Sequence, residues 1–192
     1  MITTSGYLGG QLIVALPKRG SHEFLESVIF ICRHDKGGAM GFVINQTLEG
    51  VRLYDLIEHA DTKVSLENAL PYNPPIFWGG PMEINRGFVL HSMNFHIDHT
   101  IPVTQDYGIT PSFDILKAMQ NQENPPLHST LLLGYAGWKS GQLEKEIMKQ
   151  SWVCLPCTPD LLFTVPANQK WDAAMNQIGA DRLLFSPFHG KA

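Results

Sequence analysis

The segment Ser-Val-Ile-Phe-Ile-Cys-Arg-His-Asp-Lys-Gly-Gly-Ala-Met-Gly-Phe-Val-Ile-Asn, residues 27–45, decides the fold. Residues 28–32 form a continuous apolar run rich in β-branched side chains, which is typical of a strand buried on both faces. The Asp-Lys-Gly-Gly sequence at 35–38 predicts a turn, and residues 39–45 return to the strand pattern. The segment therefore predicts an antiparallel hairpin with a loop longer than two residues.

Two further segments combine apolar, β-prone runs with glycines as this hairpin does. Trp-Gly-Gly-Pro at 78–81 runs on to Arg-Gly-Phe-Val-Leu-His at 86–91, and Gly-Tyr-Ala-Gly-Trp-Lys-Ser-Gly-Gln-Leu-Glu spans 134–144. Glycine is used where a chain turns sharply or where another backbone or a ligand comes close. We call residues 38–45, 78–91 and 134–144 the three glycine islands, and we expect them to converge on one surface.

Short strands and helices alternate through the rest of the chain. Further strands are predicted at residues 11–16, 76–78, 87–92, 101–104, 129–135 and 152–155. Helices are predicted at residues 53–59, 110–121, 140–150 and 166–178, with short helical turns at 24–27 and after Pro159. Ser140 is expected to cap the third of these helices and Gly179 to end the fourth. This order predicts an α/β or α+β domain, and the early hairpins favour a mixed sheet.

Composition bounds the class of protein. The 192 residues are 44% hydrophobic and 17% charged, with a net charge of −4. A domain of this length buries roughly 70% of its unfolded surface, and no repeat or linker divides the sequence, so we expect one domain over residues 1–192. The net charge and the lack of a Lys/Arg cluster argue against broad binding to nucleic acid or anionic membrane.

The sequence also predicts the compartment. No segment is long and apolar enough to cross a bilayer, and the first ten residues lack the pattern of a signal peptide. The three cysteines are an odd number in a chain too large to need disulfides for its stability. We therefore expect a cytoplasmic protein.

In their order along the chain, these motifs resemble the YqgE/AlgH family of bacterial proteins. The match runs from residue 10 to Trp171 and rests on Ser-Val-Ile with Cys32 and His34, and on the three glycine islands. The resemblance implies a mixed, bifurcated sheet that curls into a partial barrel flanked by helices. It implies no enzymatic activity and transfers no catalytic residues. The AlgH label implies a link to transcriptional regulation of exopolysaccharide synthesis, without implying direct DNA binding.

Cys32 and His34 are the first candidate site residues. They alternate on one strand, so both side chains are expected on the same face. A histidine near a cysteine can lower the pKa of the thiol and make it reactive. The alternative is a buried cysteine in the strand, with His34 at the rim of the turn. Asn45, at the end of the second strand, is a further candidate ligand-binding residue.

Arg86 and His91 bracket a strand of the second island, beside the Gly79-Gly80 corner. An arginine there could hold a carboxylate or phosphate through two hydrogen bonds, and backbone N–H groups around Gly79 and Gly80 could add an anion-binding nest. In the alternative interpretation Arg86 pairs with Glu83 or with a C-terminal carbonyl, and His91 is a core imidazole whose hydrogen bonds are satisfied.

Gly137 and Trp138 belong to the third island, where a strand, a glycine turn and a helix follow one another. Helix N-termini bind anions, but neither the P-loop nor the dinucleotide fingerprint is present. The alternative is tight packing, with Gly137 letting Trp138 fold under the helix. Cys154 and Cys157 have redox-motif spacing and depart from the family pattern, yet they would lie in a loop rather than at a helix N-terminus.

The sequence thus predicts a cytoplasmic regulatory or ligand- or partner-binding protein. Its islands would form one surface for an unknown protein partner or a small anionic ligand. The alternative is an enzyme of unknown class that uses a pocket formed by Cys32, His34, Arg86 and His91. No cofactor, metal or catalytic residue is predicted, and His96, Asp98 and His99 are expected in an exposed polar loop. Direct nucleic-acid binding and membrane association are not expected.

Overall fold

A curled, largely antiparallel sheet organises the computed structural model, which describes residues 6–17, 22–53, 74–112, 115–116 and 125–179. Within these ranges the strands are β1 (Gln11–Ala15), β2 (Val28–Asp35), β3 (Gly38–Val43), β4 (Ile76–Trp78), β5 (Met82–Ser92), β6 (Ile101–Pro102), β7 (Tyr107–Thr110), β8 (Ser129–Lys139) and β9 (Trp152–Pro156). Neighbouring strands follow the order β6-β7-β5-β8-β3-β2-β1-β9, and β4 pairs with β8 off this path.

Strand β8 is where the sheet bifurcates. Its first half pairs antiparallel with β5 and parallel with β4, and its second half pairs antiparallel with β3. Between the halves, Gly134 has φ 70°, a conformation that costs glycine little because it has no Cβ. The sheet is therefore mixed and splits into two wings that curl into a half-barrel. This confirms the predicted mixed, bifurcated α+β fold.

The hairpin of β2 and β3 forms in the predicted place with a shorter loop. Asp35 pairs with Gly38 across a two-residue turn at Lys36 and Gly37. The strand pattern thus continues through polar residues to the turn, and the predicted longer loop is wrong. A β-bulge interrupts the ladder between Ile31 and Arg33. An extra residue in one strand reverses the faces of the side chains that follow it.

Helical segments cover the sheet at a few points. They are the 3-10 turns His22–Phe24 and Ala167–Gln169, the π-helix Asp160–Thr164, and the helices α1 (Gln142–Met148) and α2 (Lys170–Gln177). Ser140 does not cap α1: its hydroxyl donates to the Lys36 carbonyl oxygen at 2.7 Å, and Gly141 occupies the N-cap. Gly179, with φ 69°, follows α2 as predicted. The predicted helices 53–59 and 110–121 fall mainly outside the described residues.

Both faces of the sheet are buried, as the apolar run at 28–32 predicts. One core cluster includes Phe30 and Phe42 and extends to α2, and a second includes Ile29 and Val43 and extends to α1. A third includes Val89 and Leu131. The indole of Trp171 donates to the Ala15 carbonyl oxygen at 2.9 Å, which fixes α2 to β1. No helix among the described residues is long and apolar enough to span a bilayer.

Candidate functional site

The three glycine islands do meet, at the crossing of β3, β8 and the segment after β4. The Val43 N–H donates to the Gly79 carbonyl oxygen at 2.8 Å, and the Gly79 N–H donates to the Leu133 carbonyl oxygen at 2.7 Å. A Cβ at Gly79 would overlap the Gly134 carbonyl oxygen, and one at Gly80 would overlap the backbone of Tyr135. The glycines at this crossing therefore let backbones pack against each other, and the backbones fill the space between them.

The bulge separates Cys32 from His34. Cys32 packs with the cluster of Phe30, whereas His34 lies opposite Ala39, which belongs to the cluster of Ile31. The two side chains are on opposite faces of the sheet, so the prediction from simple alternation is wrong. Burial raises the pKa of the Cys32 thiol to about 12, and the thiol donates to the Met40 carbonyl oxygen at 3.3 Å. Cys32 is thus a partly buried, protonated thiol at neutral pH.

His34 links three parts of the fold. The Leu8 N–H donates to Nδ1 at 3.1 Å, so in the neutral ring Nε2 carries the proton and donates to the Glu144 carboxylate at 3.2 Å. The Tyr7 ring packs against the imidazole in a T-shaped arrangement, with ring centroids 5.3 Å apart. These contacts tie the N-terminal segment and α1 to β2.

Asn45 braces the start of β2. Its side-chain oxygen accepts from the Val28 N–H at 2.8 Å, and its amide donates to the Glu26 carbonyl oxygen at 2.8 Å. Glu26 has φ 53°, an unusual conformation for a residue with a side chain, and the two hydrogen bonds of Asn45 hold it in place. The described contacts of Asn45 are therefore structural.

Arg86 lies on an exposed part of β5 and is paired. Its guanidinium donates to the Glu83 carboxylate at 2.9 Å and lies 5.2 Å from the centre of the Phe88 ring. The Tyr135 hydroxyl donates to the other Glu83 oxygen at 3.2 Å. The hydrogen bond from Arg86 lowers the pKa of Glu83. This is the pairing with Glu83 that the sequence offered as the alternative to an anion site.

His91 is fully buried at the other end of β5. Its Nδ1 donates to the Ser92 carbonyl oxygen at 3.1 Å, so Nε2 accepts from the Thr110 hydroxyl at 2.9 Å. The Thr100 hydroxyl lies 2.8 Å from that of Thr110 and completes the chain. Burial lowers the pKa of His91, which keeps the ring neutral. His91 is a core imidazole with both nitrogens bonded.

Gly137 and Trp138 line a cleft of about 480 Å³ beside α1. Its wall is held by Glu146, since one oxygen of this carboxylate accepts from the indoles of Trp138 at 2.9 Å and Trp152 at 2.8 Å. Gln142 donates to the other oxygen at 2.9 Å. Three hydrogen bonds thus occupy both oxygens of the Glu146 carboxylate, which anchors α1 to β8 and β9.

These positions settle which predicted residues come together. Gly79 and Gly80 pack against β8 a few residues before Gly137 and Trp138, so four of the predicted site residues lie along one crossing. Cys32, His34, Arg86 and His91 lie on different faces or at opposite ends of the sheet. The pocket predicted for these four residues does not form.

A second pocket, of about 300 Å³, opens where the beginning of β8 faces the π-helix and the start of α2. We call it the Lys170 pocket. Its walls combine aromatic and aliphatic side chains with hydroxyl groups and one amine. The lining residues are Thr47, Pro74, Pro75, Phe77, Leu116, Ser129, Thr130, Leu131, Phe163, Thr164, Val165, Pro166, Ala167 and Lys170.

Lys170 is the one charged residue among the described residues that line this pocket. It is 2% exposed, and its Nζ donates to the Leu162 carbonyl oxygen at 2.6 Å. The Phe77 ring lies 5.9 Å away. Burial lowers the pKa of Lys170 from 10.5 to about 8. No carboxylate stands among the described lining residues, so an ammonium group in these surroundings would be stabilised by a bound anion.

Cys157 lies close enough to Lys170 for the two to interact electrostatically, and burial raises the pKa of its thiol to about 12. Burial also raises the pKa of Cys154. Both thiols are free and protonated at neutral pH, so this pair lacks the activated thiolate of a redox motif. Among the described residues no group of three His, Cys, Asp or Glu side chains could hold a metal.

The amino-acid pattern of α2 contains one signal for Lys170 that the predictions from sequence did not use. The buried residues of this helix are Lys170, Trp171, Ala174 and Met175, which fall on one face at helical spacing. A lysine on an otherwise apolar helix face must either be paired or line a cavity. That pattern is weak in a single sequence because lysine is normally a surface residue.

The AlgH-like family model matches residues 12–183. The chain belongs to the AlgH-like family. A UPF0301 protein of Thioalkalivibrio sulfidiphilus (strain HL-EbGR7) is 39% identical over 191 residues, covering 100% of both chains. A UPF0301 protein of Methylobacterium sp. (strain 4-46) is 38% identical over 196 residues, covering 99% of this chain and 92% of the relative.

Two solved structures share the fold of this AlgH-like chain. The solution structure of the AlgH protein from Pseudomonas aeruginosa has a TM-score of 0.78 at 30% identity and covers 100% of both chains. The crystal structure of protein DIP2367 from Corynebacterium diphtheriae has a TM-score of 0.70 at 19% identity, covering 96% of this chain and 90% of that one. At 19% identity the second likeness shows the fold alone.

Proposed function

We propose that this AlgH-like chain is a cytoplasmic regulatory protein that binds a small organic anion in the Lys170 pocket. The buried Lys170 ammonium carries the proposal: its Nζ donates to one carbonyl oxygen, on Leu162, and no carboxylate stands among the described lining residues. A buried charge is costly unless an opposite charge or several hydrogen bonds compensate it. A bound carboxylate would supply both.

The walls of the pocket define the class of anion. Phe77, Leu131 and Phe163 offer apolar contacts for a hydrocarbon body, and the hydroxyls of Ser129 and Thr130 offer hydrogen bonds. A volume of about 300 Å³ is at the small end of the range for ligand pockets. We therefore expect a short aliphatic or aromatic carboxylate rather than a nucleotide.

The position of Lys170 connects ligand binding to regulation. Lys170 begins α2, and the next residue, Trp171, fixes that helix to β1. An anion would neutralise the charge that opposes burial of the first turn of α2, so the bound state would hold this helix more firmly. A ligand that prefers one state shifts the population toward it. A partner protein that binds only one state of this helix would let the chain regulate transcription although the chain itself does not contact DNA.

Direct binding measurements test this proposal. Isothermal titration calorimetry with butyrate and with benzoate at pH 7 is expected to show saturable binding of at least one of them to the wild type. Lys170→Met removes a charge-assisted hydrogen bond of about 1.5–3 kcal/mol and should weaken binding at least about 10-fold. Lys145→Met is the control, because Lys145 is an exposed residue of α1 away from the pocket.

The pH dependence adds a second criterion. The pKa of Lys170 is about 8, so binding should weaken as the pH rises through 8 and the amine loses its charge. Equal binding by wild type and Lys170→Met would refute the proposed site. If neither butyrate nor benzoate binds to the wild type, the proposed ligand class is refuted.

A further inference from the structure

The Lys170 amine has a second chemical capacity besides attracting an anion. Lys170 lines a pocket although it is only 2% exposed, and the described hydrogen-bond acceptor of its Nζ is the Leu162 carbonyl oxygen alone. A carbonyl oxygen carries no full negative charge, so it stabilises the ammonium form less than a carboxylate would. A neutral lysine in a pocket is a nitrogen nucleophile.

We propose that the pocket also admits small aldehydes or ketones and that Lys170 captures their carbonyl carbon as an imine. This inference rests on the proposed function, because it uses the same pocket and adds a second class of ligand to it. The lining residues support this second class of ligand. They combine apolar surface for the hydrocarbon part of a carbonyl compound with hydroxyl-bearing residues that can form a hydrogen bond to its oxygen.

The protonation state of Lys170 favours this reaction. Burial lowers its pKa to about 8, so roughly a tenth of the amine is neutral at pH 7. An ordinary lysine, with a pKa of about 10.4, is neutral to less than about one part in a thousand at the same pH. The difference predicts that Lys170 reacts with a carbonyl compound on the order of 100-fold faster than a water-exposed lysine of equal intrinsic reactivity.

The reaction is balanced without an oxidant or a reductant. The lone pair of Nζ forms a bond to the carbonyl carbon, and the π electrons of the C=O bond move to oxygen. A proton then moves from nitrogen to oxygen to give the carbinolamine. The hydroxyl oxygen then takes up a proton from solvent and leaves as water while the nitrogen lone pair forms the C=N bond, and the nitrogen releases its remaining proton to solvent. The net change is amine plus carbonyl compound to imine plus one water molecule.

Neighbouring groups favour this outcome over its competitors. Ser129, Thr130 and Thr164 are among the residues that line the pocket, and a hydroxyl that faces the pocket can donate to the oxygen that develops negative charge. The nearby Cys157 thiol stays protonated, because burial raises its pKa to about 12, so it does not compete for the carbonyl carbon.

Reductive trapping tests the inference on the wild-type chain. The protein is incubated with butanal or benzaldehyde and sodium cyanoborohydride at pH 7, and peptide mass spectrometry measures the rate at which each lysine gains the reduced adduct. Lys170 is expected to be modified at least 10-fold faster than exposed Lys139 and Lys145. Modification of Lys170 no faster than those two lysines would overturn the inference. This comparison is internal to one protein and needs no variant.

Two further measurements separate this inference from the proposed function. Butyrate should slow adduct formation at Lys170 and leave the exposed lysines unaffected, because the carboxylate and the aldehyde share a pocket. Lys170→Arg, which keeps the positive charge but is not a nucleophile, should bind butyrate and form no adduct at residue 170. If butyrate binds the wild type and no adduct forms at Lys170, the carbonyl inference fails and the anion site stands. If neither occurs, both fail.

Discussion

Replacing Lys170 by methionine should stabilise the folded protein at neutral pH. Methionine keeps an unbranched apolar side chain of similar length, so contacts along the stem are retained. The substitution removes the buried charge and also the hydrogen bond from Nζ to the Leu162 carbonyl oxygen. The two losses have opposite effects on stability, and their magnitudes decide the sign.

Loss of the buried charge has the greater effect on stability. A pKa that falls from 10.5 to about 8 makes the protonated form about 3 kcal/mol less favourable in the folded protein than in water. The hydrogen bond contributes about 1 kcal/mol, and the carbonyl oxygen left behind adds up to about 1 kcal/mol of cost. The methionine variant should therefore be more stable than the wild type by about 1–2 kcal/mol at pH 7.

The pH dependence follows from the same pKa. Between pH 8 and 10.5 the folded wild type has lost its proton from Lys170 while the unfolded chain retains it, so wild-type stability rises with pH in this window. The advantage of the variant should shrink through that window and reverse near its upper end. Urea unfolding followed by tryptophan fluorescence at pH 7 and pH 9.5 measures both effects, with Lys145→Met as the control.

A methionine variant that is less stable than the wild type at pH 7 would refute this reasoning. It would show that Lys170 acts as a structural cap for the Leu162 carbonyl oxygen and carries no unfavourable charge. A stability difference that is the same at pH 7 and pH 9.5 would contradict the lowered pKa directly.

Three further substitutions and one reaction test the glycine crossing, the Glu146 anchor and the Cys32 thiol. Gly80→Ala should destabilise the protein by about 2–4 kcal/mol, because φ is 149° and the new Cβ would overlap the Tyr135 backbone. Gly137→Ala is the matched control: its Cβ would lie 3.5 Å from the Tyr135 ring, so it should cost about 1 kcal/mol or less. Urea unfolding measures both free energies. Glu146→Ala should cost about 2–4 kcal/mol because it leaves two buried indole N–H groups without their acceptor, and unshifted indole resonances in a ¹⁵N NMR spectrum would argue against this. Cys32 should react with iodoacetamide at pH 8 at least about 100-fold more slowly in the folded protein than in urea, since its pKa is raised to about 12; equal rates would contradict its burial.

The hydrophobic pattern predicted most strands because their side chains are buried on both faces. The runs at 28–32 and 129–135 needed no tertiary information to be identified as strands. Strand β7, Tyr107–Thr110, was missed because it is short and contains a glycine. The extension of β5 over residues 82–86 was missed because its side chains are exposed, which removes the apolar signal.

The candidate site was harder to predict than the fold. Strand alternation put Cys32 and His34 on one face, but the bulge after Ile31 depends on pairing with β3 and reversed that result. The glycine islands meet at one crossing, where their backbones pack against each other, and the common binding surface expected there stays a prediction. A sequence does not distinguish glycines that make room for a ligand from glycines that make room for a backbone. Lys170 was missed because the groups around its amine, Phe77 and the Leu162 carbonyl, come from separate parts of the chain.

The pKa of Lys170 in the free and the ligand-bound protein is the most direct test of the proposed anion site. A ¹³C NMR titration of the lysine Cε resonances measures this pKa with and without butyrate, and Lys170→Arg assigns the signal. We expect a pKa of about 8 in the free protein and a clear increase when butyrate is bound. A pKa near that of an exposed lysine, unchanged by butyrate, would contradict the proposed site.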